Sequence, residues 1–153
     1  MYNRDEASRI RQEFWTAFGR YMNPVLSAEG MKINWINYHT GLKDVHFRMD
    51  AGLTSATIFI SIEHSDSEIR ELFYEQFKEL ATMLRSSVGE EWDWQPEVEL
   101  EGHRNVSRIA KTFTGVSIMS KDQWPDLISF FKPRIIALDS FWENGKYAFD
   151  TLK

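Results

Sequence analysis

The sequence predicts an α+β fold with a mainly antiparallel sheet of about five strands, in the order α-β-β-β-α-β-β-α. Three observations carry this reading. Residues 43–65, KDVHFRMDAGLTSATIFISIEHS, alternate apolar and polar side chains on both sides of Gly52, as the two strands of a hairpin do. Residues 92–101, WDWQPEVELE, alternate again. Around these segments, apolar residues recur at spacings of three and four, the helical period. With 153 residues and no repeat or interdomain linker, the chain reads as one α+β domain, 1–153.

Each element follows from its own pattern. A first helix over 5–22 gathers Ile10, Phe14, Ala17, Phe18, Tyr21 and Met22 into one stripe, and Pro24 ends it. Residues 32–38, KINWINY, read as a strand, with the turn at His39–Lys43. In the hairpin, Val45, Phe47 and Met49 share a core face with Ile58, Ile60 and Ile62. Any pairing with an odd sum of positions, such as Phe47 opposite Ile58, keeps apolar against apolar. A slip of one residue sets isoleucines against His46 and Arg48. The second helix, Asp66–Ser87, has a capping box in Ser65 and Glu68 and a stripe of Ile69, Leu72, Phe73, Phe77, Leu80, Ala81 and Leu84. Gly89 is placed to stop it.

In 92–101, Trp92, Trp94, Val98 and Leu100 face away from Asp93, Gln95, Glu97, Glu99 and Glu101, and Pro96 marks an edge strand. A four-residue turn at Gly102–Asn105 sets Glu99 opposite Arg108, Val98 opposite Ile109 and Trp94 opposite Phe113, in a hairpin running to about Ile118. Ser120 and Gln123 form a second capping box. The last helix carries Trp124, Leu127, Ile128, Phe131, Ile135, Leu138, Phe141 and Trp142, with Pro133 expected to break or kink it.

Composition narrows the function. The absence of cysteine removes disulfides, thiolate nucleophiles and cysteine-bound metals. A net charge of −5 gives no support to broad binding of nucleic acid or anionic membrane. No apolar run is long enough to span a bilayer, and MYNRDEASRIRQ lacks the apolar core of a signal peptide, so a soluble cytoplasmic protein is expected. With 11 Phe, 6 Trp and 5 Tyr, the core should be large and rigid, and a protein partner or self-association is expected for the remaining aromatic surface.

One polar face stands out. His46, Arg48, Asp50 and Glu63 collect on the hairpin face opposite the isoleucines, beside Phe59. A guanidinium fork there matches a carboxylate or phosphate. The four histidines, at 39, 46, 64 and 103, lack the spacing of a metal site. No glycine-rich phosphate loop and no Gly-x-Ser-x-Gly elbow occurs. The leading expectation is a non-catalytic interaction module without a cofactor, which contacts its partner through this face or through the kinked last helix.

Two resemblances add to this. Asp44 and Glu63 lie side by side across the hairpin, and an acid followed by Glu-x-Lys on the next strand holds Mg²⁺ in PD-(D/E)XK nucleases, whose core the order α-β-β-β-α-β resembles. That resemblance implies Asp44 and Glu63 as metal ligands and phosphodiester cleavage as the activity. The chain departs from the pattern: Ser65 stands where the lysine belongs, Lys43 precedes Asp44 where proline belongs, and Lys43 should point to the other face. FWTAFGRYM (14–22), WINYHTG (35–41), FRMDAG (47–52) and ATIFISIEHSDSEIRELFYEQF (56–77) resemble the bacterial "domain of unknown function 4268" family over roughly residues 8–142. This second resemblance implies a fold and a bacterial origin, and supplies no catalytic residues.

Overall fold

A computed structural model describes residues 3–152. Helix α1 (Arg4–Met22) is followed by a long irregular segment, then strands β1 (Val45–Ala51) and β2 (Ser55–Ile62), and helices α2 (Ser67–Glu79) and α3 (Ala81–Val88). Strands β3 (Asp93–Leu100) and β4 (Arg104–Thr114) come next, and α4 (Trp124–Gly145) completes the fold with a 3-10 turn at Lys146–Leu152. The described residues form one antiparallel sheet of four strands in the order β1-β2-β4-β3. This is the expected α+β class with one strand fewer.

The missing strand is 32–38. Asn34 accepts hydrogen bonds on its side-chain oxygen from the backbone N–H groups of Ile36 and Asn37, and this local turn competes with an extended ladder. Trp35 is nonetheless buried, so the segment supplies core residues as a loop. It is fastened at several points. The Trp35 indole donates to the Val25 carbonyl and the Trp142 indole to the Thr40 carbonyl. The Asp139 carboxylate, 6% exposed, accepts from the Ala28 amide and the Tyr38 hydroxyl.

Helix α1 starts at the cap Asn3, whose side chain accepts from the Glu6 amide. Phe14, Phe18 and Met22 are buried, whereas Tyr21 is exposed beneath the Lys132 ammonium. The expected helix Asp66–Ser87 is two helices, α2 and α3, with the break at Leu80, where no proline or glycine stands. The cap is Asp66, not Ser65, and it accepts from the Glu68 amide. Leu72 is exposed, while Arg70 and Tyr74 take buried places. Gly89 ends α3 in the left-handed conformation, at φ 72°.

The β1–β2 register pairs Phe47 with Ile60 and Met49 with Ile58, which keeps the predicted parity two residues away from the expected pairing. The second hairpin departs further. Its connection is tighter, so Leu100 pairs with Arg104 and Val98 with Val106. A bulge between Gln95 and Val98 then sets Trp94 opposite Ile109 rather than the expected Phe113. Across the bulge the faces exchange: Val98 leaves the tryptophan face, and Glu97 turns toward the helices. There it meets Arg70, whose buried guanidinium also donates to the His64 and Ser65 carbonyls. Pro96 does lie in an edge strand, β3, next to this bulge.

Helix α4 runs without interruption through Pro133, and the Arg134 side chain donates to the Phe130 carbonyl in the turn that the proline disturbs. The expected box at Ser120 is a short 3-10 turn, and Gln123 instead accepts from the Ser117 amide. One side of α4 is the spine of the core, where Leu127, Phe131, Ile135, Leu138, Phe141 and Trp142 are all buried, while Ser129, Pro133 and Ser140 are exposed on the other. The Trp142 ring lies 5.6 Å from Phe47 and 5.3 Å from Phe149, joining sheet, helix and C-terminal turn. The abundance of aromatics is accounted for largely by this core.

Burial, the hydrogen bond to Asp139 and its negative charge hold the Tyr38 phenol well above its ordinary value near 10. The folded state therefore keeps that proton more tightly than the unfolded chain. The stabilisation is complete below pH 10 and is lost as pH rises beyond it. Tyr38→Phe should flatten the alkaline fall in the urea midpoint. Asp139→Ala, which strands two donors, should lower stability at neutral pH by about 3 kcal/mol.

Candidate functional site

The helices contact one face of the sheet only. Phe47 meets Trp142, Trp94 meets Tyr74, and Phe113 meets Phe130, all from the face that carries Ile60 and Ile109. The other face carries His46, Arg48 and Asp50 on β1, Thr57 and Phe59 on β2, and Arg104, Arg108 and Thr112 on β4. Among the described residues, no hydrogen bond, ion pair or ring contact links this face to a helix.

Glu63 lies at the end of this face, one step beyond the Ile62–Ser107 pair and beside Asp44, to whose carbonyl its amide donates at 2.7 Å. The Glu63 side chain is only 8% exposed. Arg48 grips it as a fork, with Nε 2.6 Å from Oε2 and Nη2 3.0 Å from Oε1. Arg104 donates to the same Oε1 at 2.8 Å, and His46 Nε2 stands 4.0 Å from it. Burial by itself raises the Glu63 carboxyl. Hydrogen bonds from Arg48, Ser61 and Arg104, with the Arg48 charge, outweigh that and hold it at about 2.

Of the predicted polar set, the structure brings together His46, Arg48 and Glu63. Asp50 is exposed, and its side chain makes no hydrogen bond or ion pair among the described residues. Arg104 was not among the sequence candidates, because its approach to Glu63 depends on β4 pairing with β2 as well as with β3. Arg108, whose guanidinium lies 4.8 Å over the Phe59 ring and donates to Gln95, belongs to the same face for the same reason.

A family model described as "Domain of unknown function (DUF4268)" matches residues 10–146. The chain belongs to this family. No curated protein and no solved structure matches it. Membership in DUF4268 brings no activity with it, so the chemistry rests on the geometry of the chain itself.

That geometry bears on a metal at Asp44 and Glu63. Both residues stand at positions facing the bare side, so they are neighbours as the hairpin requires. Both Glu63 oxygens, however, already accept from guanidinium groups, and a divalent cation would have to displace two like-charged forks. Among the described residues, no three His, Asp or Glu side chains are grouped to share a metal ion. Ser61, the partner of His46 across the hairpin, is 2% exposed, so its hydroxyl is not presented to a substrate.

A cleft of about 620 Å³ lies elsewhere, between the 27–42 segment and the end of α4. Tyr38, His39, Asp139, Glu143 and Lys146 line it. Its most buried polar group, Asp139, is engaged in holding the loop, as described above.

Calorimetric titration of Mg²⁺ or Mn²⁺ should give no saturable heat. Binding that vanishes in both Asp44→Ala and Glu63→Ala would establish the metal-ligand role. Because the folded carboxyl of Glu63 sits at about 2 against an ordinary 4.5, its stabilisation is present above pH 4.5 and is lost as pH falls toward 2. Glu63→Gln should therefore lower the neutral-pH urea midpoint and reduce the midpoint's fall across that acid range.

Proposed function

We propose that this domain is a non-catalytic interaction module that receives an acidic segment of a partner protein on the bare face of its sheet. The observation that carries the reading is the gathering of Arg48, Arg104 and Arg108 on a helix-free face of a chain whose net charge is −5. Glu63 lies among them and Asp44 stands beside it, so three guanidinium groups face two carboxylates and the cluster keeps a positive excess. A surface of that sign on an acidic protein favours a complementary acidic partner and disfavours non-specific association. A long phosphate backbone would meet Asp50 and Asp93 at the margins of the same face, which favours a short acidic peptide over nucleic acid. The module needs no general base. Glu63 is held ionised by its partners and serves to organise them.

The test is fluorescence anisotropy with a labelled ten-residue glutamate peptide and, in parallel, a labelled single-stranded DNA of equal formal charge. The peptide should bind, weaken with added salt, and lose at least about tenfold in affinity in the double variant Arg104→Glu, Arg108→Glu. Binding of the DNA in preference to the peptide, or of neither, would overturn the reading.

A further inference from the structure

Arg48, Glu63 and Arg104 share an arrangement more specific than general positive charge. Two guanidinium groups from different strands donate through their Nη2 atoms to one oxygen, Glu63 Oε1, at 3.0 and 2.8 Å. The imidazole Nε2 of His46 stands 4.0 Å from the same oxygen. Three groups able to carry positive charge thus converge around a single carboxylate that is itself almost covered. The covering side chains are not buried: Arg48 is 47% exposed and Arg104 is 55% exposed.

The donors are only partly used. Arg48 engages Nε and Nη2 and leaves Nη1 without an acceptor; Arg104 engages Nη2 and leaves Nε and Nη1. The two unengaged edges belong to neighbouring forks whose mutual repulsion is offset by the carboxylate beneath. Without Glu63, two guanidinium groups so close would splay apart into water. With it, they are held in one place while still carrying one net positive charge, or two when His46 is protonated. Rotamer freedom is lost on folding, before any ligand arrives, and that is the sense in which the site is preorganised.

From this we infer that the Arg48–Glu63–Arg104 cluster is a subsite for a phosphoryl group carried by the partner's acidic segment, with Glu63 as its positioning residue. The inference rests on the interaction-module reading and names the group recognised at that same face. A side-chain carboxylate is planar and singly charged, with two oxygens to offer. A phosphate monoester presents three oxygens and nearly two charges, and it can accept from both arginines and from His46 together. The unengaged Nη1 of Arg48 and the Nε and Nη1 of Arg104 are donors enough for more than one of its oxygens.

Isothermal titration with two peptides separates this from the broader reading: Glu-Glu-pSer-Glu-Glu and its counterpart with glutamate in place of phosphoserine. The phosphopeptide should bind at least about tenfold tighter. Arg48→Lys keeps the charge but loses the fork, and should bring the ratio of the two affinities close to one while the glutamate peptide still binds. Glu63→Gln is the more telling variant. It makes the face more positive, so a patch acting by charge alone would bind both peptides more tightly. A positioning role predicts instead that the preference for the phosphopeptide falls. Urea midpoints measured in parallel confirm that each variant is folded, and Arg48→Lys carries the test if Glu63→Gln is not. Equal affinity of the wild type for the two peptides would overturn the phosphoryl subsite and leave the acidic-segment module standing. Binding of neither would overturn both. Tighter binding of a 5′-phosphorylated single-stranded DNA than of the phosphopeptide would move the phosphoryl group to a different class of partner and also overturn the inference.

Discussion

Burial of Ile58, Ile60 and Ile62 along one side of β2 is the constraint on which the rest of the sheet depends. Strand side chains alternate, so holding these three against the helices forces Phe59, Ser61 and Glu63 to the opposite side. Because β2 lies inside the sheet, its register with β1 brings Arg48 within reach of Glu63, and its register with β4 brings Arg104 to the same oxygen. A slip of one residue would bury Glu63 in an aromatic core and expose the isoleucines. Hydrophobic burial in the core thus fixes the polar cluster on the outside, although the two share no contact.

A second constraint acts on the long segment between α1 and β1. It has few backbone partners of its own, and side chains hold it instead: Asp139 from α4, two tryptophan indoles, and Thr40, whose hydroxyl donates to the Val45 carbonyl. These bonds are buried or partly buried, where an unmet donor is costly. The segment accordingly behaves as part of the packed structure. Its Trp35, Ile33, Ile36 and Tyr38 side chains pack against the core.

Glu63 illustrates how environment assigns a role to a carboxylate. An acid intended as a general base needs a proton affinity near the working pH, and a metal ligand needs an oxygen to give. Glu63 has neither, since two arginines hold it ionised and occupy both oxygens. What remains is structural leverage over the arginines themselves. Arg70 shows the same economy on the other side of the sheet, where one guanidinium ties the β2–α2 turn to Glu97 of β3.

The sequence by itself determined those features that local periodicity encodes. The α+β class, the parity of the first hairpin, the edge position of Pro96 and the segregation of His46, Arg48 and Glu63 from the isoleucines all follow from a period of two or of about three and a half, which neighbouring residues suffice to set. Tertiary structure decided what depends on residues far apart in the chain. The strand expected at 32–38 became a loop because the Asn34 turn and the anchors on Asp139 and Trp142 outcompeted a ladder. The helix expected to end at Ser87 broke at Leu80, with no local breaker, and α3 lies against α4. Pro133, exposed on the outer side of α4, failed to interrupt a helix whose inner side is packed into the core. A bulge exchanged the faces of β3, sending Glu97 to Arg70 and Val98 to the bare side. Above all, Arg104 joined Glu63 only because β4 inserts between β2 and β3. That placement is a matter of sheet order, and strand order is set by the packing of the whole core, which no window of neighbouring residues contains.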